Sequence, residues 1–235
     1  MRARPYVVLS CCLSLDGYLD DAAGERLVLS NEADLDRVDE LRADCDAILV
    51  GAGTVRADNP RLVVRNGHRR ARRRALGETS TPLKVTLTAT GDLDPHARLF
   101  GEPGETVVLC ASPAFDRTRD SLADRATVLD AGESPTMADV LAILHEHGVR
   151  RLMVEGGRTL LTQLLTAGMA DELQLAMAPL FVGDSRAPRF VADGRFPWDA
   201  GNRAELTEVR QVGDVVLLRY QLSDRQAAQE ALGVR

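Results

Sequence analysis

Lysine is all but missing from this chain. Lys84 is the only one, which leaves 28 arginines among 29 cations, a bias that a GC-rich genome produces without functional cause. Aromatic residues make up 4% of the sequence and the net charge is −6. Together these exclude a surface devoted to duplex DNA, to base stacking or to anionic lipid, so no nucleic-acid or membrane partner is expected. No run of about 18 apolar residues occurs, so no segment reads as a membrane-spanning helix. The four cysteines, at 11, 12, 45 and 110, form no C-x-x-C pattern and have no pairing histidine motif. That excludes a written zinc site or disulfide framework, and they read as small core residues. His145 and His147 stand two apart on a predicted helix and cannot share a metal-binding face. No metal is expected. Met1–Pro5 leads into an apolar stretch with no small-residue cleavage site after it, so a cytoplasmic location is expected.

What is present is a substantial hydrophobic fraction, 45% of 235 residues, enough for a core of ordinary size. Tyr6 to Leu13 reads as a buried strand ending at the turn-prone Asp16-Gly17, and Ser30 or Asn31 caps a helix that runs to about Arg42. Ala47 to Val50, Val85 to Thr88, Thr106 to Cys110, Ala126 to Leu129 and Arg151 to Val154 are further strands. Thr136 caps a helix that Gly148 stops, Leu160 to Leu165 forms another, and Asp171 to Ala178 and Val215 to Leu222 supply two late strands. The alternation predicts an α/β fold with a mostly parallel central sheet, an antiparallel C-terminal edge and helices on both faces. Residues 1–224 read as one domain and 225–235 as a tail that extends a helix or frays. Residues 65–81, rich in arginine and without apolar periodicity, read as a mobile loop.

Two glycine loops carry the chemistry. Gly51-Ala52-Gly53-Thr54 follows one predicted strand, and Glu155-Gly156-Gly157-Arg158-Thr159 follows another. Glycines before a helix let a phosphate approach free backbone N–H groups. The first loop lacks the third glycine of the dinucleotide fingerprint, and no Walker pattern occurs anywhere, so neither standard nucleotide motif applies. The pair, each at the carboxyl end of a predicted parallel strand, still suits a nucleotide cofactor lying across a sheet edge. Asp58-Asn59-Pro60 reads equally well as a plain turn, and Arg42 as a cation placed favourably at a helix C-terminus. Glu155, directly after four strand residues, points toward the crevice at the end of the sheet.

The segments Ser14–Gly17, Leu41–Ala43, Asp46–Gly51, Thr54–Arg65, Val154–Gly157 with Thr159-Leu160, and Gly168–Leu173 with Ala178–Leu180 and Gly183 recur in one order. They resemble the pyrimidine reductase family of riboflavin biosynthesis, over roughly residues 4–222. The resemblance implies a dihydrofolate-reductase-like fold and an NADPH-dependent oxidoreductase. Such an enzyme reduces the ribosyl group of a phosphoribosylamino-pyrimidine, in the uracil or the 2,5-diamino-pyrimidinone form, to a ribityl chain. Carried over by position, Gly51, Gly53, Thr54, Asp58, Gly156, Gly157, Arg158, Thr159 and Leu160 are implied cofactor contacts, and Arg42, Leu62, Arg65 and Glu155 substrate contacts. Asp58 is the first candidate for proton handling and Glu155 the second. The family also implies a homodimer.

The chain departs from the family pattern in places. The H-x-E and P-C-x-x-C motifs of the zinc deaminase fused to many bacterial relatives are missing here, so a stand-alone reductase is expected. Glu25 stands where relatives often offer a small hydroxyl to the substrate, and Ala89 where a serine contacts the cofactor. A dihydrofolate- or pterin-type reductase of the same fold, or a non-catalytic NADPH- or flavin-binding protein, remain alternatives.

Overall fold

Short apolar runs bounded by turn residues become the strands. In the computed structural model, which describes residues 2–23 and 27–225, the chain forms β1 (Tyr6–Ser14), α1 (Glu32–Ala43), β2 (Ala47–Gly51), α2 (Ala52–Asp58), α3 (Gly67–Ala75), β3 (Leu83–Thr88), β4 (Thr106–Cys110), α4 (Phe115–Leu122), β5 (Thr127–Asp130), α5 (Met137–Glu146), β6 (Arg151–Val154), α6 (Arg158–Thr166), β7 (Glu172–Ala178), β8 (Glu205–Val212) and β9 (Val215–Gln221). The described residues divide into two compact units, 2–5 with 38–157 and 6–37 with 158–225. Glu25 and the tail from residue 226 lie outside the described residues.

In the first unit five parallel strands lie in the order β5-β4-β3-β2-β6. Ile48, Leu49 and Val50 of β2 are all buried, the signature of a strand covered on both faces. Ile48 and Val50 pack with Val55, Leu62, Leu99, Val108 and Leu122 in one cluster, each such side chain contributing about 1.5–3 kcal/mol by leaving water. α5 begins as its sequence predicts. Thr136 and Asp139 form a reciprocal capping box, and Gly148 follows the helix at φ 86°.

In the second unit β1 runs parallel to β7, and β9 and β8 follow antiparallel. The mostly parallel α/β arrangement with antiparallel strands at the C-terminal end is therefore present. β8 is a strand that hydrophobic patterning misses. It is exposed along nearly its whole length, with only Val212 buried, so no alternation marks it. Asp16 is more than a turn residue. It accepts from the Ser14 hydroxyl at 2.6 Å and from the N–H groups of Val182 and Gly183 at 3.1 and 2.7 Å. The Ser14 bond, with these main-chain donors, pulls its pKa down to about 2.

Two expectations need correction. Cys45 and Cys110 are core residues, but Cys11 and Cys12 are only partly buried. Cys11 lies in register with Leu175, itself half exposed, so that face of the β1–β7 pair is incompletely covered. Burial still pushes the Cys12 thiol up to about 11 and that of Cys45 to about 12. The second correction is larger: the arginine-rich stretch is not a mobile loop, because Gly67–Ala75 is the helix α3. Asn66 caps it, its side chain accepting from the N–H groups of His68 and Arg69. The stripe that holds it down is made of arginine instead of apolar residues. Arg69 pairs with Asp39 at 3.1 Å, Arg72 with Asp44 at 2.5 Å, and Arg73 donates to the carbonyls of Ala43 and Cys45 at 2.9 and 2.8 Å. Positions 69, 72 and 73 share one face at helical spacing.

Arg73 is 3% exposed, so Arg73→Ala strips charged donors from buried carbonyls and is expected to cost about 2–4 kcal/mol in urea unfolding. Arg74→Ala, on the exposed face of α3, should cost under about 0.5 kcal/mol; equal effects would refute the anchoring role of Arg73. A second expectation concerns acid. Since the folded pKa of Asp16 is depressed to about 2, its contribution to stability is present above the unfolded carboxylate range and fades as pH falls through about 2. Asp16→Asn should flatten that part of the acid-unfolding profile.

Candidate active site

β2 and β6 are parallel neighbours, with Leu49 opposite Val154, so their carboxyl ends lie at the same edge of the sheet. The Glu155 N–H donates to the Leu49 carbonyl at 3.1 Å, which sets Gly156 and Gly157 beside the residues that follow β2. These are not a loop. Gly51 is the N-cap of α2, with extended backbone, and Gly53 and Thr54 lie in its first turns. Gly157, at φ 86°, faces Thr54: a Cβ there would stand 2.9 Å from the threonine Oγ1. At Gly156, φ 105°, a Cβ would meet nothing within 4 Å. Both positions need glycine for their backbone conformation, Gly157 also for space. Gly156 is nevertheless buried, and Gly157 is the partly exposed member of the pair. Two glycine segments thus converge at one edge, as their sequence pattern suggests.

Glu155 itself meets Arg42. The guanidinium donates from Nε to Oε1 at 2.5 Å and from Nη2 to Oε2 at 2.6 Å, a bidentate pair. Arg42 is 9% exposed. Burial works against its charge, but the Glu155 carboxylate and its hydrogen bonds, with Asp39 nearby, outweigh that, and its pKa is raised. Its remaining nitrogen, Nη1, donates to the Val63 carbonyl at 3.1 Å. Arg42 therefore joins the end of β6 to the segment 62–65.

That segment is held at every residue. Asn59 is left-handed (φ 43°, ψ 56°) and closes α2 through its N–H to Val55, while its side chain accepts from the Arg98 N–H at 2.7 Å. Leu62 is left-handed too, at φ 50°, and is buried in the core, 2% exposed. Non-glycine residues in this region store strain, and such strain collects where a site is being shaped. Val64 N–H donates to Thr81 Oγ1 at 2.8 Å. The N–H groups of Arg65 and Asn66 both donate to the buried Asp39 carboxylate, at 2.5 and 3.1 Å. The Arg65 side chain is exposed.

Of the residues singled out by sequence, then, Gly51, Gly53 and Thr54 meet Gly156 and Gly157 at one edge, Arg42 pairs with Glu155 and bonds the arm at Val63, and Leu62 and Arg65 lie on that arm. Asp58 ends α2, half-buried. Arg158, Thr159 and Leu160 open α6 in the other unit, the first two exposed and Leu160 buried. Ala89 is exposed just beyond β3. Asp39 is the residue that sequence reasoning missed. Its signal was available, since it stands three residues before Arg42 and so on the same face of α1. A separate cleft of about 480 Å³, lined by Arg2, Asp130, Glu133, Asp139 and Glu146, lies beside α5. Its acidic lining suits no phosphate.

Comparison with known proteins gives a consistent result. The model of the RibD C-terminal domain family matches residues 5–218. The chain is similar to a 2,5-diamino-6-ribosylamino-4(3H)-pyrimidinone 5′-phosphate reductase of Archaeoglobus fulgidus, 38% identical over 192 residues, which cover 81% of this chain and 87% of the relative. A protein of the same name from Methanothermobacter thermautotrophicus is 36% identical over 220 residues, 92% of this chain and 98% of the relative. Among solved structures, RibD of Acinetobacter baumannii matches with a TM-score of 0.76 at 26% identity, over 93% of this chain and 58% of that longer one.

Removing one partner of a buried bidentate pair leaves the other charge desolvated. Arg42→Met is expected to cost about 3–5 kcal/mol, and Arg42→Met with Glu155→Met to recover most of that. Chemical denaturation of both variants tests this; a double variant no better than the single one would show that the pair is not the coupled element.

Proposed function

Because the chain belongs to the RibD C-terminal domain family, we propose that it reduces the ribosyl group of a 6-ribosylaminopyrimidine 5′-phosphate to a ribityl chain with NADPH as the reductant. It is a pyrimidine reductase of the riboflavin pathway, and so an oxidoreductase. The first substrate is the 2,5-diamino-pyrimidinone form, a choice supported by identities of 36–38% to relatives of that name. The observation that carries the reading is the Arg42–Glu155 pair, which fixes the arm 62–65 beside the glycine-lined edge.

The residues divide by chemistry. Arg65 supplies a guanidinium for the 5′-phosphate, and Leu62 is the substrate contact on the same arm. Glu155, held in place by Arg42, accepts from sugar hydroxyls or from an amino group of the pyrimidine with the lone pairs that Arg42 leaves over. Gly51, Gly53, Thr54, Gly156 and Gly157 line the edge for the dinucleotide, with Arg158, Thr159 and Leu160 next along the chain. The left-handed glycines let a pyrophosphate come close to main-chain N–H groups. When bound, NADPH supplies a hydride to C1 of the opened sugar. Asp58 holds the reacting groups in register or delivers the proton that the sugar's heteroatom takes up.

We further read residues 1–224 as one catalytic domain with a tail after it. The enzyme is read as cytoplasmic; among the described residues no helix is long and apolar enough to cross a membrane. A homodimer is supported by the β8–β9 hairpin, where Leu206, Val209 and Val216 are exposed on one face.

The test is a cofactor-oxidation assay with NADPH and with NADH. Its panel holds the diamino and deaminated ribosylaminopyrimidine phosphates and dihydrofolate. NADPH oxidation fastest with the diamino compound is expected, falling many-fold in Asp58→Asn. Turnover of dihydrofolate at a comparable rate, or of neither pyrimidine, would overturn the proposal.

A further inference from the structure

We infer that Arg70 is a second guanidinium of the substrate-phosphate subsite, forming with Arg65 a two-arginine clamp for a phosphomonoester dianion. This rests on the reading of Arg65 given above and extends it to a residue on the arginine helix.

The five arginines of α3, at 69, 70, 72, 73 and 74, do not share one task. Arg69 and Arg72 meet carboxylates of α1 and its end, and Arg73 the carbonyls of Ala43 and Cys45. Arg70 turns the other way. Its Nη1 donates to the Arg65 carbonyl at 2.8 Å and to that of Val64 at 3.3 Å. The guanidinium thus lies over the main chain of the residue that carries the phosphate-binding side chain. Nη1 is the only side-chain nitrogen of Arg70 with a bond among the described residues, so Nε and Nη2 keep their donors for a ligand. Gly67, with no side chain, leaves the Nη2 side unscreened: a Cβ there would come to 3.9 Å from it.

Charge points the same way. Among the described residues neither Arg65 nor Arg70 pairs with a carboxylate, although three of the neighbouring arginines do. Two guanidiniums on adjoining main chain repel weakly without a counter-ion, and an anion reverses the sign of that interaction. The arm is also rigid. Asp39 fixes the N–H groups of Arg65 and Asn66 and pairs with Arg69, so the main chain that carries Arg65, and the carbonyls that hold the Arg70 guanidinium, are placed before the ligand arrives. A phosphomonoester carries about two negative charges at neutral pH and three acceptor oxygens. That matches two guanidiniums better than one.

The experiment compares wild type with Arg70→Gln, with Arg74→Gln as a control on the same helix. KM is measured for the ribosylaminopyrimidine phosphate and for its dephosphorylated counterpart, and inorganic phosphate binding is followed by calorimetry. A lost charge-assisted contact corresponds to about a tenfold or greater rise in KM. Arg70→Gln should raise KM for the phosphorylated compound by that factor more than for the dephosphorylated one, and weaken phosphate binding to match. Arg74→Gln should change neither, and Arg70→Lys should recover only part of the loss, because a single ammonium cannot hold the two carbonyls and a phosphate together. Equal KM shifts for both compounds, or phosphate binding as tight in Arg70→Gln as in wild type, would overturn the inference. If no ribosylaminopyrimidine is turned over at all, the functional reading fails while phosphate binding still decides the subsite.

Discussion

The site depends on one buried ion pair, Arg42 with Glu155. A carboxylate and a guanidinium taken out of water cost several kcal/mol each, and only close bidentate geometry with the leftover donors satisfied offsets that. The requirement is met here with both Glu155 oxygens and the Val63 carbonyl bound to one guanidinium. It follows that α1 has to end where Arg42 can reach, that β6 has to end at Val154, and that the arm after α2 has to pass at Val63. The position of Arg42 in the last turn of α1 adds a favourable interaction with the helix dipole. The glycine pair is fixed as a by-product, since it follows Glu155 directly and Glu155 is pinned to Leu49 as well.

Around that pair the first unit uses charge where many proteins use hydrocarbon. Residues 38–43 of α1 present Asp39 and Arg42 on one face, one holding N–H groups of the arm and the other its carbonyl. α3 is docked by arginine to carboxylates and to the carbonyls at the end of α1. Burying long arginine stems also removes apolar area from water. An arginine stripe can thus anchor a short helix that carries no leucine or valine at all. The single lysine follows the same rule: Lys84 is buried, its Nζ donating to the Gly101 carbonyl at 2.6 Å, and burial pulls its pKa down.

The second unit is held by aspartates with main-chain partners. Asp171 is fully buried and accepts from the Val7 N–H at 2.8 Å and the Ser223 hydroxyl at 2.6 Å. Asp16 does the same for Val182 and Gly183. Ser14–Gly17 and the stretch ending at Gly183, distant in sequence, are therefore partners in one hydrogen-bonded turn.

Local order was legible in the residues alone. The apolar runs of β1, β2, β4, β6 and β7, the Thr136 cap and the glycines after β2 and β6 all report burial or backbone conformation within a few positions, and periodicity records such things directly. β8 was not legible, because an exposed strand leaves no alternation, and α3 was not, because its buried stripe is cationic. Nor could the sequence select the partner of Arg42. Glu155 stands 113 positions away, one acid among 35 facing 28 arginines. Composition and spacing set which elements form. Which charges meet was decided by the tertiary structure, because an ion pair is a choice of distant partner made in low dielectric, and no local pattern encodes it.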